Sequence, residues 1–95
     1  MMSAVTSELD LQEIRRRIDD VDAKILALFA ERVELVLEVG RYKRERNLAV
    51  YDPDRERKVL ERLTELAPAG LSPQVIRRVF ERIIDESRRI EQHDV

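Results

Sequence analysis

The segment IRRRIDDVDAKILALFAERVELVLEVGRY, residues 14–42, predicts one long helix with a continuous apolar face. Its apolar residues recur at alternating steps of four and three, which is the repeat of a helix that packs against other helices. They are Ile14, Ile18, Val21, Ile25, Leu28, Leu35, Val39 and Tyr42. Arg32 occupies a position in this series where leucine would be expected. Because a guanidinium cannot lose its proton to escape burial, Arg32 has to meet an anion from the protein or from a ligand.

Length and composition indicate an all-helical chain that associates with itself. The chain has 95 residues, of which 43% are hydrophobic and 40% are charged, with two glycines and three prolines. This composition is typical of long amphipathic helices, and the periodic apolar residues argue against disorder. The first helix would be over about 50 Å long, at about 1.5 Å per residue. Two short helices of the same chain cannot cover it, so self-association is favoured.

The first helix is predicted to begin near Leu9 to Leu11 and to run to about Arg46. Residues 1–8 carry no periodic pattern and are expected to be a frayed lead-in. Gly40 interrupts the helix at a cost of about 1 kcal/mol, yet the apolar pattern continues beyond it. A glycine at this point lets another backbone or a ligand come close.

Two further helices begin at clear start signals. Asp52-Pro53 and Ser72-Pro73 each combine an N-cap residue with proline at the first helical position. No strand pattern stands out. The sequence therefore predicts a single all-α domain over residues 9–95, made of a long, a short and a medium helix.

Residue content disfavours several classes of function. The absence of cysteine excludes disulfides, thiolate catalysis and thiolate metal sites. His93 lies near the C-terminus and is expected to be solvated, so neither a cofactor nor a metal is expected. No apolar run approaches the roughly 20 residues of a membrane span, and no signal-peptide pattern is present. A soluble cytoplasmic protein without a membrane partner is expected.

The charge pattern argues against nucleic acid as a partner. The chain carries 18 basic and 20 acidic residues, for a net charge of −2. The arginine runs are interleaved with acids, and we interpret them as solvated helix faces. These runs are Arg15-Arg16-Arg17, Arg77-Arg78 and Arg88-Arg89.

Arg32 and Lys43 form the first candidate site. They are eleven residues apart, so they project from the same face of a helix, separated by about 16 Å along its axis. Two long cationic side chains that lean toward each other can hold a small dianion between them. The alternative is that Lys43 faces solvent and that Arg32 pairs with an acid of the chain. The acids considered are Glu31, Glu34, Glu38 and Glu56.

Two weaker candidate clusters lie further along the chain. Arg55 and Glu56 follow Asp52 in the first turn of a helix, where free amides attract anions, and they either line a site or only decorate the helix start. Capping alone explains Asp52. Ser87 and Glu91 share one face of the third helix as a plausible binding pair. The alternative is a serine bonded back to its own helix and a frayed, solvated glutamate.

The distance along the first helix limits which site Arg15 can serve. It precedes Lys43 by 28 residues, or about 42 Å of unbroken helix. It cannot reach a ligand that is held by Lys43 of its own chain. If Arg15 binds ligand, it does so in the site of another subunit.

Taken in order, these segments resemble the all-helical class of chorismate mutase. RRRIDDVDAKILALFAER at residues 15–32 resembles the opening of that family. EVGRYK at residues 38–43 resembles its valine-glycine-x-x-lysine segment, and DPDRE at residues 52–56 its aspartate-x-x-arginine-glutamate segment. Ser87 stands where the last helix of the family carries a serine. The resemblance covers residues 9–91, and its specificity lies in the order and spacing of the motifs.

The resemblance implies an intertwined homodimer in which the long first helices are shared between two active sites. It implies the Claisen rearrangement of chorismate to prephenate, on the route to phenylalanine and tyrosine, without a cofactor. By that similarity Arg32 binds one substrate carboxylate and Arg15 of the partner chain binds the other, while Lys43 donates to the ether oxygen and a carboxylate. Asp52 and Glu56 hold the substrate hydroxyl region, and Arg55 and Ser87 complete the pocket.

Glu91 departs from a common family pattern, which places glutamine there as a donor to the ether oxygen. An ionised carboxylate would repel the developing oxyanion, so Glu91 helps only when it is protonated. Burial favours that form and nearby Lys43 opposes it. We therefore hypothesise that activity declines as pH rises.

Two other functions stay open at this point. A relative on the same scaffold eliminates pyruvate from isochorismate and uses a similar arginine-lysine cage. A non-catalytic helical dimer, acting in protein interaction or regulation, would keep its function when Lys43 is replaced by alanine.

Overall fold

The computed structural model describes residues 8–93, with side chains from Asp10 onward, and it contains three α-helices. These are α1 (Glu8–Glu45), α2 (Pro53–Glu65) and α3 (Pro73–Gln92). The predicted order of a long, a short and a medium helix is confirmed, and no strand occurs in residues 8–93. The lead-in expected at residues 1–8 lies outside the described residues, except that Glu8 already belongs to α1.

Local capping explains why α2 and α3 begin where they do. The Asp52 carboxylate accepts a hydrogen bond from the backbone N–H of Arg55, with 3.0 Å between Oδ1 and N. The Ser72 hydroxyl oxygen accepts in the same way from Val75, at 3.2 Å. Each cap satisfies a backbone donor that has no partner within the helix. Both start signals read from the sequence are thereby confirmed.

The chain divides into two compact units, Met1–Arg32 and Val33–Val95, and α1 continues from the first into the second. The first unit, where it is described, consists of the N-terminal part of α1. It exposes a row of large apolar side chains to solvent, among which Ile25 is 58% and Leu28 is 63% exposed. Further members of this row are Leu11, Ile14, Ile18 and Val21. The expectation of a single domain stays a prediction.

The second unit contains the end of α1 together with α2 and α3, and α2 packs against α3. Ile76 and Ile84 of α3 are its buried apolar side chains. Ser87 and Glu91 on the same helix are buried as well. A buried hydroxyl and a buried carboxyl next to a small core make this part of the chain the candidate site.

None of the helices in residues 8–93 is both long and apolar enough to cross a membrane.

Candidate functional site

Glu91 is the most informative residue of the second unit. It lies near the end of α3, and only 7% of its surface is exposed. Its side chain lies directly against Gly40 of α1, so that a Cβ built on the glycine would be 2.9 Å from Glu91 Cγ. A close approach does occur at Gly40, but the approaching group is this carboxyl side chain rather than the backbone or the ligand that the sequence predicts. The alternative of a frayed, solvated Glu91 is wrong, because the residue is buried and α3 continues past it to Gln92.

Two cations of α1 lie near the Glu91 carboxyl. Lys43 is half-buried, and its ammonium Nζ donates to the Val50 carbonyl oxygen at 3.3 Å. Arg44 Nη2 donates to the backbone carbonyl of Glu91. The alternative in which Lys43 faces solvent is therefore wrong.

Burial raises the pKa of the Glu91 carboxyl above its ordinary value, while Lys43 and then Arg44 act to lower it. Glu56 of α2 acts in the same direction as burial, because a neighbouring negative charge disfavours ionisation. The net direction is upward. Glu91 therefore keeps its proton at a higher pH than a solvated glutamate and can then act as a hydrogen-bond donor.

Ser87 stands one turn before Glu91 on α3 and is only 2% exposed. Its hydroxyl donates to the Ile83 carbonyl oxygen of the same helix at 2.6 Å. The bond back to its own helix, one of the two interpretations of this residue, is therefore present. Ser87 also has a further interaction in the chain, and its hydroxyl oxygen has two lone pairs. A binding role for Ser87 stays a prediction.

Glu56 of α2 pairs with Arg88 of α3. Arg88 Nε lies 2.9 Å from Glu56 Oε2, and Arg88 Nη2 lies 3.0 Å from Oε1. Both side chains are half-buried, at 28% and 25% exposure. The interpretation of Arg88-Arg89 as a solvated face is wrong for Arg88 and right for Arg89, which is exposed. Glu56, one of the acids that the sequence offers as a partner for Arg32, binds the guanidinium of Arg88.

Asp52 and Arg55 are both exposed, at the start of α2. One oxygen of the Asp52 carboxylate is used by the cap, which leaves the other oxygen for a further partner. The structure places these two residues at the surface of the second unit, in the turn that leads to Glu56. A direct role for either residue in binding stays a prediction.

The remaining two predicted residues belong to the first unit. Arg32 is half-buried and is not without a partner. Arg15 is exposed, and no side chain in the described part of the chain forms an ion pair with it. Its neighbours Arg16 and Arg17 both pair with Glu13. Of the three adjacent arginines, Arg15 is therefore the one that keeps its guanidinium available for another molecule.

Sequence reasoning missed Arg44, Tyr51 and Arg88. Arg44 follows Lys43 directly in the sequence, but two adjacent cations match no motif that would indicate a functional role for the second. The guanidinium carbon of Arg88 lies 4.9 Å from the centre of the Tyr51 ring, within the range of a cation–π contact. The adjacency of Arg88 to Ser87 was the one signal that could have drawn attention to it.

The contact between Gly40 and Glu91 predicts a coupling between these residues in stability. Alanine is favoured over glycine inside a helix by about 1 kcal/mol. In a Glu91→Ala background, Gly40→Ala should raise the free energy of unfolding by about that amount. With Glu91 present, the new methyl group meets its Cγ, so the gain should be lost. Urea unfolding of the four proteins measures the coupling, and additive effects would contradict the contact.

These features define an all-α protein whose site combines a buried carboxyl with adjacent cations. Among the described residues no group of three histidine, aspartate or glutamate side chains is arranged to hold a metal ion. The chain belongs to the chorismate mutase type II family, whose model matches residues 14–92.

Named relatives and solved structures agree with this family. A chorismate mutase of Methanocaldococcus jannaschii is 30% identical over 83 residues, which cover 86% of this chain and 84% of that protein. The structure of chorismate mutase (form II) from Thermus thermophilus has a TM-score of 0.85 at 37% identity, covering 88% of this chain and 96% of that one. The chorismate mutase of Helicobacter pylori, solved in complex with prephenate, has a TM-score of 0.79 at 26% identity, covering 86% and 89%.

Other relatives are much longer than this chain. The bifunctional chorismate mutase/prephenate dehydratase of Escherichia coli K12 is 46% identical over 84 residues, which are 87% of this chain but 22% of that protein. The chain thus spans about a fifth of the length of such curated relatives.

Proposed function

We propose that this chain is a chorismate mutase, an isomerase that converts chorismate to prephenate in the cytoplasm, on the shikimate route to phenylalanine and tyrosine. The observation that carries the proposal is the half-buried Lys43 beside a buried Glu91 whose pKa is raised by burial. Membership of the family and the likeness to relatives of similar length support it.

The rearrangement needs electrostatic stabilisation of its transition state and does not need a nucleophile. The C–O bond of the enolpyruvyl ether breaks while a C–C bond forms within the same molecule, so no group leaves. Negative charge grows on the ether oxygen as the bond breaks, and a fixed donor aimed at that oxygen lowers the barrier. The Lys43 ammonium has three donors, of which one is used by Val50, so the others can serve the ether oxygen and a substrate carboxylate.

Glu91 supplies a second donor to the ether oxygen in this proposal. A neutral carboxyl has one O–H to donate, whereas its ionised form repels the developing charge. Burial of Glu91 against Gly40 of α1 favours the neutral form. Lys43 and Arg44 on α1 oppose it, and Glu56 on α2 supports it.

Replacement of Glu91 by glutamine is expected to flatten the pH profile of kcat/KM. The wild-type rate should fall as pH rises through the raised pKa of Glu91, because the donating proton is lost. The carboxamide of the introduced glutamine donates at every pH, so the variant should keep its rate on the alkaline side. Initial rates between about pH 5 and 9 test this, with Glu86→Gln as a control on the same helix. Profiles of the same shape for wild type and Glu91→Gln would contradict the assignment.

The same pKa shift affects stability with a defined sign. Because the pKa is raised in the folded chain, the folded state binds more protons than the unfolded state between the ordinary and the raised value. The contribution of Glu91 to stability is therefore fully present below the ordinary pKa and is lost as pH rises through the raised pKa. Glu91→Gln should remove this loss.

Two arginines are assigned to the substrate carboxylates. Arg32 shares the helix face of Lys43 by its spacing of eleven residues, and a guanidinium donates two parallel hydrogen bonds to a carboxylate. Arg15 precedes Lys43 by 28 residues, which corresponds to about 42 Å of unbroken helix, so it can serve only the site of a second copy. Each site is thus built from two chains.

The exposed apolar row on the first unit supports a homodimer. Contiguous apolar side chains that stay uncovered on one chain mark a surface for another protein. The row repeats at the spacing of a helix–helix interface and continues next to Arg15, the residue assigned to the partner's site. A second copy of this chain therefore fits this surface, and the proposed dimer is intertwined through α1.

Carboxylates of α2 are assigned to the hydroxyl of chorismate. Asp52 keeps one oxygen outside its capping bond, and Glu56 is fixed by Arg88 in a half-buried position. Arg55 in the turn between them and Ser87 on α3 complete the proposed pocket. Carboxylate acceptors suit a hydroxyl because each oxygen has lone pairs to accept its proton.

Product identification tests the proposed function. The purified chain is given chorismate and, separately, isochorismate, and the products are identified by NMR. Prephenate from chorismate is the expected result. Salicylate and pyruvate from isochorismate, with chorismate unchanged, would assign the chain to the lyase activity of the same scaffold. No turnover of either compound would overturn the proposal and leave a non-catalytic helical dimer.

A further inference from the structure

Arg88 connects three elements of the second unit. Its guanidinium binds both oxygens of Glu56 on α2, at 2.9 and 3.0 Å, and its Nη2 also lies 2.9 Å from Asp85 Oδ1 on α3. The same group lies over the ring of Tyr51, in the segment just before α2. One side chain thus holds α2, α3 and the connection from α1.

The pair between Arg88 and Glu56 is bidentate and is partly shielded from solvent. Two parallel charge-assisted hydrogen bonds fix both the position and the plane of a carboxylate. The hydrogen bond to Glu56 is the main cause of a raised pKa of the Arg88 guanidinium, and Asp85 contributes in the same direction. With about a quarter of each side chain exposed, water screens the pair only in part.

The pair also leaves Glu56 able to bind another group. Each carboxylate oxygen has more than one lone-pair direction, and Arg88 takes one direction on each. The remaining directions can accept a hydrogen bond from a hydroxyl. A carboxylate already held in one orientation loses little conformational freedom when it does so.

We propose that Arg88 is a positioning residue, which holds the Glu56 carboxylate in place as the acceptor for the hydroxyl of the substrate. The inference rests on the proposed function and deepens it, because it makes recognition of the hydroxyl depend on a residue outside the family motifs. Arg88 itself does not touch the substrate in this arrangement. Its effect is on the choice of substrate rather than on the rearrangement step.

A purely structural role for Arg88 makes a different prediction. If the pair with Glu56 only joined α2 to α3, its loss would lower activity toward every substrate alike. A positioning role instead affects the substrate that carries the hydroxyl and spares an analogue without it. The ratio of kcat/KM for chorismate to kcat/KM for an analogue that lacks the ring hydroxyl separates the two roles.

Arg88→Met, which keeps most of the aliphatic stem and removes the charge, is expected to lower this ratio by on the order of tenfold. Arg89→Met is the matched control, since Arg89 is exposed and pairs only locally with Glu86. It should leave the ratio unchanged. In a Glu56→Ala background, Arg88→Met should have no further effect on the ratio, because the two residues act as one unit.

An unchanged ratio in folded Arg88→Met would overturn the inference. Should that variant fail to fold, Arg88→Lys decides, since lysine keeps the charge but cannot grip both oxygens in one plane. A ratio lowered in Arg88→Lys supports the inference, and an equal loss on both substrates overturns it. Failure of the wild-type chain to convert chorismate would instead overturn the proposed function, and this inference with it.

Discussion

Lys43→Ala is expected to lower kcat/KM for chorismate by about a hundredfold to a thousandfold. Removal of a single donor aimed at developing negative charge has effects of about this size in other enzymes. Lys43 is half-buried and is the cation that acts most strongly on the buried carboxyl of Glu91, and one of its three donors is used by the Val50 carbonyl. The loss should appear mainly in kcat, because the donor acts most strongly in the transition state.

Lys58→Ala is the matched control for this prediction. Lys58 lies on α2, is exposed and would lose the same charge and stem. It should retain activity within about twofold, as substitutions at exposed sites usually do. Circular dichroism of both variants checks that the helices are kept. A Lys43→Ala protein that is folded and within about threefold of wild type would contradict the proposed electrostatic role and favour a non-catalytic dimer.

Much of the fold could be predicted from the sequence, because it depends on interactions between residues that are close together in the chain. The starts of α2 and α3 were predicted because a capping side chain and a following proline act within one turn. A close approach at Gly40 was predicted because glycine has no side chain, but the group that approaches is the side chain of Glu91 rather than a backbone or a ligand. The apolar row of α1 was predicted to be too long for the chain's own helices, and on the first unit its members are exposed.

The pairing of side chains from different helices could not be predicted from the sequence. Arg88 and Arg89 are adjacent and chemically identical, yet only Arg88 reaches Glu56, which is 32 residues away. The difference depends on which face of α3 packs against α2, and the charge pattern alone does not state it. Contacts within one helix turn were easier, since the cap by Asp52 and the bond from Ser87 back to its own helix were both named as alternatives to binding, and both are present.

The raised pKa of Glu91 depends both on the residues present in the sequence and on how they pack. In the sequence, a carboxyl stands in place of a carboxamide, together with a lysine that could keep it ionised. Only packing decides which effect prevails, and burial is the largest contribution. The hypothesis of a protonated Glu91 therefore has physical support, while its catalytic consequence rests on the pH profile proposed above.

A mixed dimer of Arg15→Ala and Lys43→Ala tests the claim that each site is shared between two copies. Each variant alone should lose most of its activity, because every site lacks either the arginine or the lysine. In the mixed dimer, one site contains Lys43 from the first variant and Arg15 from the second. The other site lacks both residues. The site that lacks both residues is therefore inactive, and the site that has both is complete.

The decisive measurement is the rate of chorismate loss, followed by its ultraviolet absorbance, for mixed dimers isolated with two different affinity tags. We predict recovery to about half of the wild-type rate per dimer, on the assumption that the two sites act independently. A dimer of wild type with Lys43→Ala, which also has one complete site, gives the reference value. A verified mixed dimer that stays as inactive as its two parents would contradict a site built from two chains.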